Sequence, residues 1–273
     1  LKNIIQRTIS GILYLVIIIG SLILGKITFG LVFLAITVMA LYEFYSLTLA
    51  AGSAPFVSLS LVTGSFLFVL TFLSSSGLSG HNMLILALPV MMSIFITALY
   101  SGKNDVIRDM AVSLLGIMYI ALPLSTMNYL AFPAWNHSGY THRILLGILT
   151  MVWINDTGAY LVGMSIGRNR LMESISPKKS WEGAIGGAVL TLVSAWWLNG
   201  IMGILDRSDW LVLAMIVSVF GVFGDLTESL LKRGAGLKDS GTLIPGHGGI
   251  LDRIDSVLFV MPLSLVYLLI IKT

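Results

Sequence analysis

Nine apolar runs decide what this chain can become. They lie at about 9–24, 27–49, 56–76, 83–100, 110–132, 143–166, 183–204, 210–231 and 254–271, with only short polar stretches between them. The hydrocarbon core of a bilayer is about 30 Å thick and takes roughly 20 apolar residues of helix to cross, so most of the chain is committed to spans. The expected fold is an all-α polytopic membrane protein of about nine transmembrane helices. Charged residues make up only 11% of the chain, against about 25% in globular domains. Little is left from which to build a soluble domain.

The charges that remain set the orientation. Nine spans put the N-terminus and the loops near 53, 105, 174 and 240 on one side, and that side carries 12 of the 16 Lys and Arg residues. The positive-inside rule makes it cytoplasmic. Eight of the twelve belong to the loops near 174 and 240, which also hold most of the chemistry, so the inference leans on those two loops. The same rule accounts for the net charge of +3 without a nucleic-acid partner. Lys2 and Arg7 ahead of the first run have the layout of a signal peptide. The run is long, however, no small-residue cleavage site follows, and the next run begins just after Lys26, so an uncleaved anchor is expected. With no cysteine in the chain, disulfides and thiolate metal sites are excluded.

Residues 1–140 read as a transmembrane scaffold and 141–273 as a catalytic transmembrane region. In the first part Glu43, within LYEFY, is the one acid at membrane depth. A structural role, buried by the bundle or held near an interface, is the first expectation for it. In the second part Asp156, within WINDTGAY, interrupts the sixth run. An acid there costs about 2.5–3.5 kcal/mol to insert and needs a partner. Gly158 and Gly163 would admit a neighbouring helix and turn Asp156 toward the bundle interior; a plain interhelical hydrogen bond is the simpler alternative.

The loop GRNRLMESISPKKSWEG follows. Pro177 holds Ser176 extended, Lys178 and Lys179 offer a clamp for phosphates, and Ser180 is a candidate N-cap whose neighbouring amides suit an anion. Positive-inside charge alone would also explain the lysines. Further on, Asp225 and Glu228 share one helix face at i, i+3, and Asp252 and Asp255 repeat the spacing. Asp225 lies six residues inside its span, about 9 Å along the axis, so water or metal must reach it. Hard carboxylate oxygens suit magnesium, which takes one or two of them and keeps its other positions for water and phosphate. Pairing of these acids with Lys232, Arg233, Lys238 and Arg253 is the alternative. Between the acid pairs, Gly234, Gly236, Gly241, Gly246, Gly248 and Gly249 permit close backbone approach, as phosphate-cradling loops do, and His247 could donate to a phosphate oxygen. No GKS or GKT ending is present, so this is not a Walker loop.

Taken together, S-x-L-K-R-x4-K-D-x-G-x2-I-P-x-H-G-G-I-x-D-R-I-D from Ser229 to Asp255 resembles the signature of the phosphatidate cytidylyltransferase, or CDP-diacylglycerol synthase, family. WINDTGAY and SPKKSWEG are similar to the same family, so the resemblance covers about residues 150–260. It implies a magnesium-dependent reaction of CTP with phosphatidic acid that gives CDP-diacylglycerol and pyrophosphate. By the same match Asp225 and Asp252 are the metal-binding acids, with Glu228 and Asp255 as further candidates. Lys232, Arg233, Lys238 and Asp239 fall in the catalytic signature. Asp156, Lys178, Lys179, Ser180, Gly246, His247, Gly248, Gly249 and Arg253 fall where substrates would be held. The family further implies a homodimer, a polar cavity facing the cytoplasm, a second, monovalent cation such as K+, and a bacterial inner membrane. Two alternatives fit parts of the pattern: a CTP-dependent kinase of the polyprenol or phytol type, and a cation-coupled transporter.

Overall fold

The computed structural model describes residues 2–136, 139–237, 239–241 and 248–272, except for the side chains of residues 2–5 and 7. Each of the nine apolar runs becomes a helical segment. In order these are α1 (Lys2–Ile23), α2 (Lys26–Ala50), α3 (Val57–Ser75), a 3-10 turn (His81–Leu86) leading into α4 (Ala87–Leu99), α5 (Val106–Gly116) running through a π turn (Ile117–Ala121) into α6 (Leu122–Ala131), α7 (Arg143–Ile166), α8 (Trp181–Met202), α9 (Arg207–Gly234) and α10 (Leu251–Lys272). Eight of the segments are long and apolar enough to cross a membrane, and the apolar part of α1, Thr8–Ile23, is shorter. The protein is therefore a multi-pass, all-α membrane protein. Large apolar side chains such as Ile27, Leu99, Trp197 and Ile270 stay exposed on its outer faces, as lipid-facing helices require.

The interior is packed by aromatic and branched side chains, with Trp210, Phe29, Phe44 and Tyr45 fully buried. Close helix approach comes from small residues, because lipid tails are as apolar as leucine and leave tight packing to drive association. The α7–α8 seam shows it best. A Cβ on Gly187 of α8 would lie 2.7 Å from the Asn155 carbonyl oxygen of α7, and one on Gly183 would lie 2.7 Å from that of Ala159. Gly158 and Gly163 face these positions from α7, so the expected close approach is present.

The connection between α7 and α8 is a small antiparallel hairpin, β1 (Arg170–Met172) with β2 (Ser176–Ser180), where the sequence suggested a loop. Its root is fixed by Glu182 of α8, which accepts from the backbone N–H groups of Arg168 and Asn169 and from the Asn169 amide at 2.7–3.2 Å. Ser180 caps α8, its hydroxyl accepting from the Gly183 N–H at 3.1 Å. α9 and α10 pack along their lengths. At the end away from the hairpin, Lys272 of α10 pairs with Asp206 and Asp209 at 3.2 and 3.0 Å. The Tyr267 hydroxyl donates to Asp209 at 3.2 Å.

Candidate active site

The site grows from the crossing of α9 and α10 at Gly224. A Cβ there would lie 2.4 Å from the Asp255 carbonyl oxygen, so only glycine lets the two backbones meet. The crossing puts Asp225 next to Ser256, whose hydroxyl donates to Asp225 Oδ1 at 3.2 Å, and next to the Asp255 carboxyl. Asp156 reaches the same place from α7 and faces Asp225. Lys179 comes in from the hairpin and forms an ion pair with Asp225. Four segments thus set two acids, Asp156 and Asp255, and one cation, Lys179, around Asp225.

One turn along α10, Asp252 is held from several directions. Its Oδ2 accepts from the Ser240 N–H at 3.2 Å, the Ser240 hydroxyl at 2.9 Å and the Gly249 N–H at 2.8 Å, while Oδ1 takes Lys232 Nζ at 2.6 Å. Lys232 also pairs with Glu228 and so sits between two carboxylates. Glu228 is 1% exposed, and among the described residues its Oε1 finds no donor. Behind the assembly stands Glu43 of α2, also buried. It accepts from the N–H groups of Ile250 and Leu251 at 3.0 and 2.8 Å.

Two cavities meet at these acids. The first, about 630 Å³, lies between α7, α8, α9 and the hairpin, and its lining includes Arg170, Lys178, Lys179, Ser180, Asp156 and Asp225. The second, about 490 Å³, is walled by α1, α7, α9 and α10, and its lining includes Asp156, Asp225, Asp252, Arg253, Asp255 and Tyr14. Asp156 and Asp225 line both. The first chamber is basic and the second acidic, so the two carboxylates stand where the charge of the surroundings changes sign.

The acids suit a hard divalent cation. Asp225 and Asp255 lie side by side and Asp252 opens onto the same cavity, and a cation held there would take the places that Lys179 has at Asp225 and Lys232 at Asp252. Among the described residues no three His, Cys, Asp or Glu side chains converge on one metal position. Magnesium does not require three, since water and substrate phosphates complete its shell.

Of the residues singled out in the sequence, Asp156, Lys178, Lys179, Ser180, Asp225, Asp252, Arg253 and Asp255 line one or both cavities. Glu228 and Lys232 stand behind Asp252. Arg233 turns away, donating to the Leu237 carbonyl at 3.2 Å, and Asp239 is exposed. Gly248, with φ of 83°, and Gly249 close around Asp252. Lys238, Gly246 and His247 lie outside the described residues. Sequence reasoning missed the contribution of α1, whose Ser10 and Tyr14 help wall the acidic cavity. Nothing in an apolar run marks which later helix it will touch.

Comparison with known proteins bears on the whole chain. The Cytidylyltransferase family profile matches residues 5–271. A protein of Staphylococcus haemolyticus named phosphatidate cytidylyltransferase is 34% identical over 264 residues, covering 94% of this chain and 96% of its own. Proteins of the same name from Bacillus subtilis and Synechocystis are 34% and 32% identical, each alignment covering 94% of both chains.

Proposed function

The chain belongs to the Cytidylyltransferase family, and on that footing we propose that it joins CTP to phosphatidate, forming CDP-diacylglycerol and releasing pyrophosphate. It is a nucleotidyltransferase of phospholipid synthesis. The observation that carries this reading is the pair of chambers, one basic and one acidic, that share Asp156 and Asp225. A transfer between two phosphate-bearing substrates needs two pockets with one meeting point.

The reaction asks little of proton chemistry. A phosphomonoester has a second pKa near 6, so the attacking phosphate is already mostly ionised at neutral pH. Its oxygen forms a bond to the α-phosphorus of CTP, the bond to the β-phosphate oxygen breaks, and pyrophosphate departs with the electron pair. The protein must bring two anions together, align them and stabilise the leaving group, which are electrostatic and positional tasks. Lys178, Lys179 and Arg170, together with the capped start of α8, draw the triphosphate into the first chamber. Arg253 offers a cation to the lipid phosphate in the second. Ser256 and Lys179 hold Asp225 in place, and Lys232 with Ser240 does the same for Asp252.

Magnesium would be held by Asp225 and Asp252, with Asp255 and Glu228 adjoining them, and when bound it neutralises phosphate charge at the point of transfer. A second, monovalent cation, a homodimer and a cytoplasm-facing site in a bacterial inner membrane complete the proposal. The 12-of-16 distribution of Lys and Arg supports the orientation. Purified protein supplied with labelled CTP and phosphatidate, with and without magnesium, tests the reaction. Magnesium-dependent CDP-diacylglycerol and equimolar pyrophosphate are expected. CDP with a phosphorylated lipid would instead mean a kinase, and no turnover at any magnesium concentration would refute both. Light scattering in detergent reads the oligomeric state.

A further inference from the structure

Glu43 is an acid 2% exposed, in the half of the chain that otherwise reads as scaffold. Among the described residues no cation pairs with it. Its partners among the described residues are hydrogen-bond donors, and all of them belong to the signature stretch some 200 residues later. Oε1 accepts from the Ile250 N–H at 3.0 Å, Oε2 accepts from the Leu251 N–H at 2.8 Å, and the Ser240 hydroxyl lies 3.2 Å from Oε2. Leu251 opens α10 and Ile250 immediately precedes it, at a helix start, where backbone N–H groups have no partner within the helix. A capping side chain would reach the second or third helical residue; these two earlier amides are met by an acceptor from α2.

The same hydroxyl lies 2.9 Å from Asp252 Oδ2, so one serine proton serves two carboxylates. The glycines around it lie against this acid. A Cβ on Gly249 would lie 2.3 Å from Glu43 Oε2, and one on Gly241 would lie 2.6 Å from Oε1. The Glu43 carboxylate fills the space beside Gly241, and it shares the space beside Gly249 with the Ser240 hydroxyl, 2.1 Å from the added Cβ.

We propose that Glu43 is a positioning residue. From α2 it fixes Ser240 and the first turn of α10, and through them the direction in which Asp252 presents its carboxylate. The inference rests on the reading of this site as the centre of cytidylyl transfer. Glutamine at 43 keeps the shape but sets an NH2 group against a backbone N–H, whereas aspartate keeps both oxygens on a shorter stem.

The test compares parent, Glu43→Gln and Glu43→Asp in the full chain, by steady-state kinetics and by hydrogen exchange of the Ile250 and Leu251 amides. Glu43→Gln should fold, lose about 10- to 100-fold in kcat, as loss of an outer-shell partner does, and keep KM for both substrates within about threefold. Both amides should exchange faster, and Glu43→Asp should recover most of the turnover. Should Glu43→Gln not fold, Ser240→Ala carries the same test, with a fall in kcat at unchanged KM expected. Turnover that falls only in step with the folded fraction, without rescue by aspartate, would overturn the proposal. The exchange arm is independent of the assigned reaction. Parental protection of both amides in Glu43→Gln overturns the role of Glu43, whereas absence of cytidylyl transfer in the parent counts against the functional reading instead.

Discussion

Replacing Gly224 by alanine tests the α9–α10 crossing most directly. The new Cβ would lie 2.4 Å from the Asp255 carbonyl oxygen, 2.9 Å from its carbonyl carbon and 2.9 Å from Ser256 Cα. All three are backbone atoms, so no rotamer change makes room. Ordinary contact begins at 3.4 Å, and the helices must therefore part by about 1 Å at this point. Overpacking of this kind costs about 1–3 kcal/mol, offset by at most about 1 kcal/mol of helix propensity gained over glycine. The effect on rate should be larger. Asp225 is the next residue, its bond to Ser256 is already 3.2 Å long, and a 1 Å misplacement at a reaction centre costs about 100-fold. The control is Gly200→Ala on α8, where nothing lies within 4 Å of the added Cβ. Thermal unfolding and steady-state turnover in detergent read both effects. Gly224→Ala should unfold at lower temperature and retain about 1% of turnover, with Gly200→Ala at parental values. Parental stability and kcat in both variants would refute the reasoning.

Asp225→Asn and Asp252→Asn should each remain folded and lose turnover by orders of magnitude, since the charge stabilisation of the proposed magnesium is worth several kcal/mol at about 1.4 kcal/mol per decade; near-parental rates across a magnesium titration would refute the proposed placement at these two acids. The Lys178→Ala, Lys179→Ala double variant should raise KM for CTP more than KM for phosphatidate, because both lysines line only the basic chamber. Equal changes in the two constants would argue against separate chambers. Reporter fusions after residues 174 and 240 should both report the cytoplasmic side, and a periplasmic signal from either would reverse the orientation.

Apolar length was enough to read nine helical segments, because a span's requirement is mainly one of length and hydropathy. It could not show that the fifth is broken by a π turn at Ile117–Ala121, a detail of hydrogen bonding that hydropathy does not encode. Ser180 was legible as a cap from residue type alone. The hairpin was not, since a three-residue strand and one containing Pro177 carry no usable alternation. Asp156 and Asp225 stood out because charge at membrane depth is costly, and Asp252 and Asp255 because they repeat the i, i+3 spacing of Asp225 and Glu228. One counter-ion was legible as well: the alternative pairing with Lys232 is present, to Glu228 and Asp252, whereas Lys179, read as a phosphate ligand, pairs with Asp225. Glu43 was expected to be structural, but the amides at the start of α10 that it meets lie some 200 residues away, and spacing along a chain says nothing about partners so distant.

The fastening of α9 to α10 has a mechanical consequence. The pair is joined through Lys232 and Asp252 at one end, at Gly224 within the bilayer, and by Lys272 with Asp206 and Asp209 at the other. Helices answer a change in hydrocarbon thickness by tilting. Two helices bound at three levels can tilt only as one body. A thinner or thicker bilayer should therefore swing Asp225, Asp252 and Asp255 together and hold the spacing between these three acids, whereas Asp156 and Lys179 are carried by α7 and the hairpin.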